Sequence, residues 1–284
     1  MIPGEPSRTA WSAAMHRAAH QILDGATVFE DSVAVPMTGW SAERIAEDAN
    51  AHPERRGMRL FIASRHQFAR EVTRDVIRDG SADIQVVVLG AGLDTTAYRP
   101  DPAPGLRIFE VDHPATGAWK RAHLAREQIA PTVPVEYVGV DFESESVRDA
   151  LLAAGLDTEK PVVVVWLGVL VYLTNAAVES TIGALGGLSR GGVHLVLDYS
   201  EPPDQLTGRA AEMHATRSER VARIGEPWLS SYRPEELRNL LARNGFGIAE
   251  DLSTPEWIAR FLGLPADKGR WTGGAHLLHA VWQE

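Results

Sequence analysis

The chain has 284 residues, 44% of them apolar and 23% charged, with a formal net charge of −10 and no cysteine. That length gives one large domain or two small ones around an ample core. The acidity argues against broad electrostatic binding of nucleic acid, and the missing cysteines remove disulfides, thiolate metal sites and a thiol nucleophile. No apolar run reaches the roughly 18–20 residues of a membrane span, and the opening MIPGEPSRTAW lacks the apolar core of a signal peptide. The expected setting is the cytoplasm, with neither a membrane nor a nucleic acid as partner.

In chain order, residues 9–24 read as a helix, with Trp11, Met15, Ala18 and Ile22 at helical spacing, Thr9 as N-cap and Gly25 as stop. A short helix is expected near 41–50, before the break at His52-Pro53. Residues 57–79 form a stronger helix whose apolar stripe carries Phe61, Phe68, Val72 and Val76. Arg65 falls within that stripe, whereas Arg59, His66, Arg70 and Arg74 fall on the other face. An arginine on an apolar face calls for an anion. Two partners satisfy it, an internal acid or a ligand carboxylate.

From residue 85 strands and helices alternate. The strands are 85–89, 107–111, 135–140, 161–167 and 193–199, and the helices between them are 114–128, 144–154 and 175–188. Such alternation predicts a parallel sheet with helices on both faces. Residues 203–223 read as a long polar helix and 234–246 as another, ended by Gly245. Two last strands are expected near 246–251 and 275–282, joined by a loop of about 24 residues, a length that usually carries function. His276 and His279 lie three apart in the last strand and so on opposite faces, which does not favour a shared metal; no metal site is proposed.

The centre of the chain is QVVVLGAGLDTTAYR, residues 85–99. A buried parallel strand runs into Gly90-Ala91-Gly92, and ligands of open α/β sheets bind at the carboxyl ends of strands. A dinucleotide fingerprint needs a third glycine. Here Thr95 takes that place, and Asp94 sits in the turn, which disfavours a nicotinamide oxidoreductase. Asp112 closes the second strand, where a carboxylate can bind both ribose hydroxyls. Asp141-Phe142 closes the third, suiting the amine and flat face of adenine. Both acids also suit N-caps of the following helices. Together with the glycines they describe an adenosine ligand without a pyrophosphate, and S-adenosyl-L-methionine is the obvious candidate.

VVLGAGLDTTAYR, FEVDHPATGAWKR, GVDFES, GVLVYLT and PEELRNLLARNGF…GGAHLLHA resemble the leucine carboxyl methyltransferase family, and its bacterial S-adenosyl-L-methionine-dependent branch in particular. The resemblance implies a single α/β domain with a Rossmann-like class I methyltransferase fold. Its sheet would have seven strands, mostly parallel with the last antiparallel, and helices on both faces. Residues 1–80 would be an N-terminal helical cap, 81–199 the cofactor-binding core, 200–245 a substrate-covering insert and 246–284 the C-terminal strands. It assigns Arg65 to the methionine carboxylate, Gly90 and Gly92 to the glycine loop, Asp112 to the ribose, and Asp141 with Phe142 to the adenine. Arg17 matches a second basic residue near the carboxylate.

One departure stands out. Leu167 occupies the place of a family glutamate, and it can neither accept a hydrogen bond nor balance a sulfonium. Asp94 is one acid able to compensate, and Leu167→Glu would then tighten cofactor binding. The departure also leaves open a relative that keeps the pocket as a binding or pericyclic-type scaffold without methyl transfer. Otherwise the resemblance implies O-methylation of a small molecule at a carboxylate of a secondary metabolite. Tyr172 and Tyr199 are the candidate catalytic residues, with a core aromatic the alternative for Tyr172. Trp228 and Tyr232 are candidates to pack on an apolar acceptor, and Arg217 or Arg233 to hold its carboxylate. For each of these the alternative is a place in a solvated helix. Nothing in the sequence sets an oligomeric state.

Overall fold

The computed structural model describes residues 7–79, 83–100, 105–266 and 273–282. Residues 1–6 of the N-terminal stretch and 267–272 of the long C-terminal loop lie outside it. Seven strands, β1 (Gln85–Leu89), β2 (Arg107–Asp112), β3 (Val135–Gly139), β4 (Val162–Trp166), β5 (Val193–Ser200), β6 (Phe246–Leu252) and β7 (Ala275–Trp282), form one sheet. Their order is β3-β2-β1-β4-β5-β7-β6. β1 to β5 pair in parallel, and β7 runs antiparallel to both β5 and β6. This is the expected Rossmann-like methyltransferase sheet with its last strand reversed.

Alternation along each strand divides the core. Val87, Leu89, Leu195, Leu197 and Tyr199 face one side. There they meet α6 (Val147–Ala153), α7 (Asn175–Leu185) and α9 (Pro234–Arg243). Val86, Val88, Val163, Val165 and Val196 face the other. On that side lie α4 (Arg56–Arg78), α5 (Pro114–Arg126) and α10 (Thr254–Leu262). β1 is buried along its whole length because it lies between β2 and β4 with a layer on each face, which is why its sequence is an unbroken apolar run.

α1 (Arg8–Leu23) packs across the first half of the other face of α4, burying Arg59 against Asp24 at 2.6 Å and burying His66, while Arg74 stays exposed. Two expectations need correction. The long polar helix starts later than expected. Pro203–Gln205 make a separate 3-10 turn, and α8 spans Gly208–Arg223. The loop before β7 holds α10, opened by Ser253, which shares a capping box with Glu256, and closed by the left-handed Gly263. The remaining helices, α2 (Ala34–Thr38) and α3 (Ala42–Ala51), pack on α1 at the N-terminal side. Among the described residues no helix is long and apolar enough to cross a membrane.

Candidate active site

A cavity of about 1230 Å³ opens above the carboxyl ends of the parallel strands. Each strand end contributes to its floor: Gly90 and Gly92 after β1, Asp112 at the end of β2, Asp141 and Phe142 after β3, Leu167 and Gly168 after β4, and Asp198 on β5. Its walls and roof come from α1, α4, α8, the Glu226–Leu229 segment and α10.

The glycine turn holds its shape through left-handed φ values of 64° at Gly90 and 44° at Gly92. A side chain at Gly90 would collide with Val169 Cγ2, and one at Gly92 would meet Ala10 Cβ at 3.0 Å. The glycines therefore admit neighbouring chain segments as much as a ligand. Asp112 ties the turn to β2. Its Oδ2 accepts the Gly92 N–H at 2.5 Å and its Oδ1 the His113 N–H at 2.7 Å. Burial raises the Asp112 pKa, and these two N–H groups oppose the rise. Each oxygen keeps a lone pair free to accept a ligand hydroxyl. Asp141 shapes the next turn, accepting the Glu143 N–H at 3.0 Å, with Phe142 beside it on the cavity wall.

Asp94 and Arg17 lie deeper. Burial would raise the Asp94 pKa, yet His66, Lys120, Arg17 and Arg99 outweigh it and hold the carboxylate well below its usual range. Asp94 Oδ1 accepts the Thr96 N–H at 2.7 Å. Arg17 donates to the Leu93 carbonyl, and its Nε lies 3.4 Å from Asp31. Both residues line the cavity, but their visible work is to brace the glycine turn.

Arg65 projects from α4 into the cavity, as its place on the apolar stripe suggests. Its Nη1 lies 3.2 Å from Asp198 Oδ2, while Asp198 Oδ1 accepts the Gly168 N–H at 2.5 Å. Asp198 directly follows Leu197, which pairs with Trp166, so this acid stands beside the Leu167 position. β5 thus places a carboxylate beside the end of β4, where Leu167 carries none. Sequence reading passed over Asp198, although it closes a strand as Asp112 does. Arg65 Nε is buried without a hydrogen-bond partner. Arg65 spends one N–H on Asp198, and its guanidinium borders the cavity beside that carboxylate.

Among the candidates for the acceptor side, Tyr172, Trp228 and Arg217 line the cavity. Tyr199, Tyr232 and Arg233 do not. Tyr199 shares the parity of Leu195 and Leu197, so it points to the far face of the sheet, where its hydroxyl donates to Asp251 at 3.1 Å. Tyr232 is buried in the same core layer as Leu237 and Leu241. Arg233 is exposed at the start of α9 and pairs with Asp204 and Glu236. α10 adds Thr254, Trp257 and Ile258 to the cavity wall, from a stretch expected to be a loop.

The roof is anchored on both sides, at Leu229, whose N–H donates to the Val171 carbonyl at 2.7 Å, and at Glu226. Glu226, just after α8, accepts the N–H groups of Arg8 at 3.0 Å and Thr9 at 3.1 Å, and the Ser7 hydroxyl at 3.1 Å. It thereby caps α1 and ties it to the α8 side of the cavity. Among the described residues no group of three or more His, Asp or Glu is placed to hold a metal.

The leucine carboxyl methyltransferase family model matches residues 10–186. The chain belongs to that family. The match takes in α1 through α7, hence most of the cavity floor but neither α8 nor α10. A relative in Bacillus subtilis (strain 168), YktD, provisionally named an S-adenosyl-L-methionine-dependent methyltransferase, is 27% identical over 99% of each chain. A Mycobacterium avium (strain 104) protein with the same provisional name is 32% identical over 68% of this chain and 64% of its own. Among solved structures, a DUF574 family protein from Streptomyces avermitilis superposes with a TM-score of 0.58 at 14% identity, over 99% of this chain and all of the other. A provisionally named methyltransferase from Thermobifida fusca gives 0.55 at 19% identity, over 99% and 96%. These two likenesses establish the fold alone.

Proposed function

We propose that this member of the leucine carboxyl methyltransferase family transfers the methyl group of S-adenosyl-L-methionine to a carboxylate oxygen of a small-molecule acceptor. The chain is an S-adenosyl-L-methionine-dependent methyltransferase by family and by its relatives. The observation that carries the finer reading is that one cavity joins the adenosine-type acids at the strand ends to Tyr172, Trp228 and Arg217. Single-ligand pockets run from about 300 to 1000 Å³, so about 1230 Å³ suits a donor and an acceptor together.

When bound, the cofactor supplies a methyl carbon made electrophilic by its sulfonium. Asp112 is assigned to the ribose hydroxyls, Asp141 and Phe142 to the adenine, and the Arg65 guanidinium to the methionine carboxylate. Asp198 is assigned the negative charge near the sulfonium that Leu167 lacks. Tyr172 is half-buried, and desolvation raises its pKa, which keeps its hydroxyl a donor rather than a base. We assign it to orienting the acceptor oxygen, since a displacement needs reacting atoms about 3–3.5 Å apart and aligned.

A carboxylate acceptor needs no general base, whereas a hydroxyl acceptor gains from one with a pKa near the working pH. The histidines on the α1, α4 and α8 walls do not supply it. Burial, with Arg55, Arg220, Arg59 and Arg65, brings His16 down to about 3. Burial and neighbouring arginines also lower His66 and His214. His113, which also lines the cavity, adjoins Asp112 and accepts the Ala115 N–H at Nδ1. On the α1, α4 and α8 walls this favours the carboxylate.

Calorimetry with S-adenosyl-L-methionine and S-adenosylhomocysteine, followed by transfer of labelled methyl to a panel of aromatic and aliphatic acids, tests the proposal. Label released as methanol by mild alkali reports a methyl ester. Alkali-stable label would move the acceptor to a hydroxyl, and failure of either cofactor form to bind would sink the reading.

A further inference from the structure

The charges around the cavity are paired unevenly. Arg65 meets Asp198, Arg17 meets Asp31, and Arg55 meets Asp48 and Glu54. The acids are engaged too. Asp112 and Asp141 hold backbone N–H groups, Glu201 holds His276 at 2.9 Å, and Glu226 caps α1. Arg217 and Arg220 have no hydrogen-bond or ion-pair partner among the described residues, although both line the cavity.

These two arginines sit on α8 at i and i+3, a spacing that puts them on one helix face. Ala210, Met213, His214 and Val221 share the cavity-lining face, whereas Glu212 and Glu219 of α8 do not line the cavity. An amphipathic helix over an apolar cavity would ordinarily turn its arginines outward with its acids. Arg217 is half-buried, and burial lowers its pKa, with Arg220 adding to the effect. Beside it His214 lies against Trp228, ring centres 4.9 Å apart. Across the cavity His16 is neutral, α1 brings only the further cations Arg8 and Arg17 to the lining, and no cavity acid pairs with Arg217 or Arg220.

We infer that Arg217 and Arg220 receive a second anionic group of the acceptor, separate from the carboxylate that is methylated. The acceptor class is then a compound with an aromatic or other flat apolar body and at least two acidic groups, of which the enzyme esterifies one. A pair of guanidinium groups beside an indole matches that chemistry, since arginine binds carboxylates through parallel N–H bonds and aromatic faces supply the apolar contact. The inference rests on the acceptor reading above.

The test uses isophthalate, a flat dicarboxylate, with isophthalamide as the uncharged isostere, each titrated calorimetrically into the full chain at constant ionic strength. Isophthalate should bind saturably and isophthalamide at least ~tenfold more weakly. Arg217→Gln and Arg220→Gln should each weaken isophthalate at least ~fivefold, and Arg217→Lys should restore part of the loss. S-adenosylhomocysteine should bind these variants within about twofold of the wild type, which also reports that they are folded. Equal binding of diacid and diamide, absence of diacid binding, or variants that bind the diacid like the wild type would overturn the inference. A large loss of S-adenosylhomocysteine affinity in the folded variants would overturn it as well, by assigning the arginines to the donor's carboxylate. Failure of S-adenosylhomocysteine to bind the wild type would instead strike the methyltransferase reading.

Discussion

Asp198 pairs with Arg65 at 3.2 Å and simultaneously accepts the Gly168 N–H at 2.5 Å, joining α4, the end of β4 and β5 at one point of the cavity floor. Removing this carboxylate leaves a largely buried guanidinium without its partner. The pair borders an open cavity, so the full penalty for a buried ion pair does not apply. We expect Asp198→Ala to cost about 1–3 kcal/mol in urea unfolding. It should also weaken S-adenosyl-L-methionine at least ~tenfold by calorimetry. Unchanged values for both would remove Asp198 from the site.

The same relationship reverses the expectation for Leu167→Glu. A glutamate there would place a second carboxylate beside Asp198, and like charges at close range repel. Cofactor affinity should stay level or fall in the wild-type background. In the Asp198→Asn background the same substitution should recover part of the lost affinity. Tighter binding in the wild type would show that Asp198 does not fill the role.

Asp112→Ala removes the acceptor of two backbone N–H groups and the expected ribose ligand together. At least ~tenfold weaker S-adenosylhomocysteine binding is expected. Adenosine binding should weaken in parallel, since the lost contact lies on the nucleoside. If methionine-side analogues alone were affected, the assignment would be wrong.

Stability should fall with acidification through the His194–His279 pair, whose rings stack with nitrogens 3.1 Å apart. Burial first, and then His194, lowers His279 from 6.5 to about 4. The unfolded chain therefore binds a proton that the folded chain refuses between those values. The contribution is present above pH 6.5 and is lost as pH falls toward about 4. Urea midpoints measured from pH 7.5 to 4.5 should fall less steeply for His279→Gln than for the wild type; equal slopes would remove this pair from the acid response.

Glu226→Ala should release the cap on α1 at a cost of about 1 kcal/mol. Limited proteolysis should then cut residues 207–226 faster, because the segment loses its tie to Ser7, Arg8 and Thr9. An unchanged cleavage pattern would show that α8 is held by other contacts.

The sheet and the residues of the cavity floor were legible because their signals are local. An apolar run followed by glycines, and acids closing Asp112 and Asp141 strands, needs no knowledge of what packs on them. Arg65 could be read from helical phase alone. The acceptor side was harder, since it depends on which of two sheet faces a residue meets. Tyr199 and Asp198 are neighbours, and their parity sends the tyrosine into the core and the acid into the cavity. The parity was visible in β5, but the face that carries the cavity was not. Arg233 was misplaced because the start of α9 supplied nearer acids, and α10 was missed because its helix is short and lies between Pro- and Gly-containing stretches.

The floor and the roof of the cavity have different origins. The floor is fixed by strand pairing that the whole sheet enforces, whereas α8 lies outside the sheet and is tied to the start of α1 by the Glu226 carboxylate. On the proposed assignment, donor handling falls to the floor and acceptor choice to the roof. Exchanging residues 203–229 for the corresponding segment of a relative, with Glu226 retained, offers a route to chimeras that keep the methyl donor while changing what is methylated.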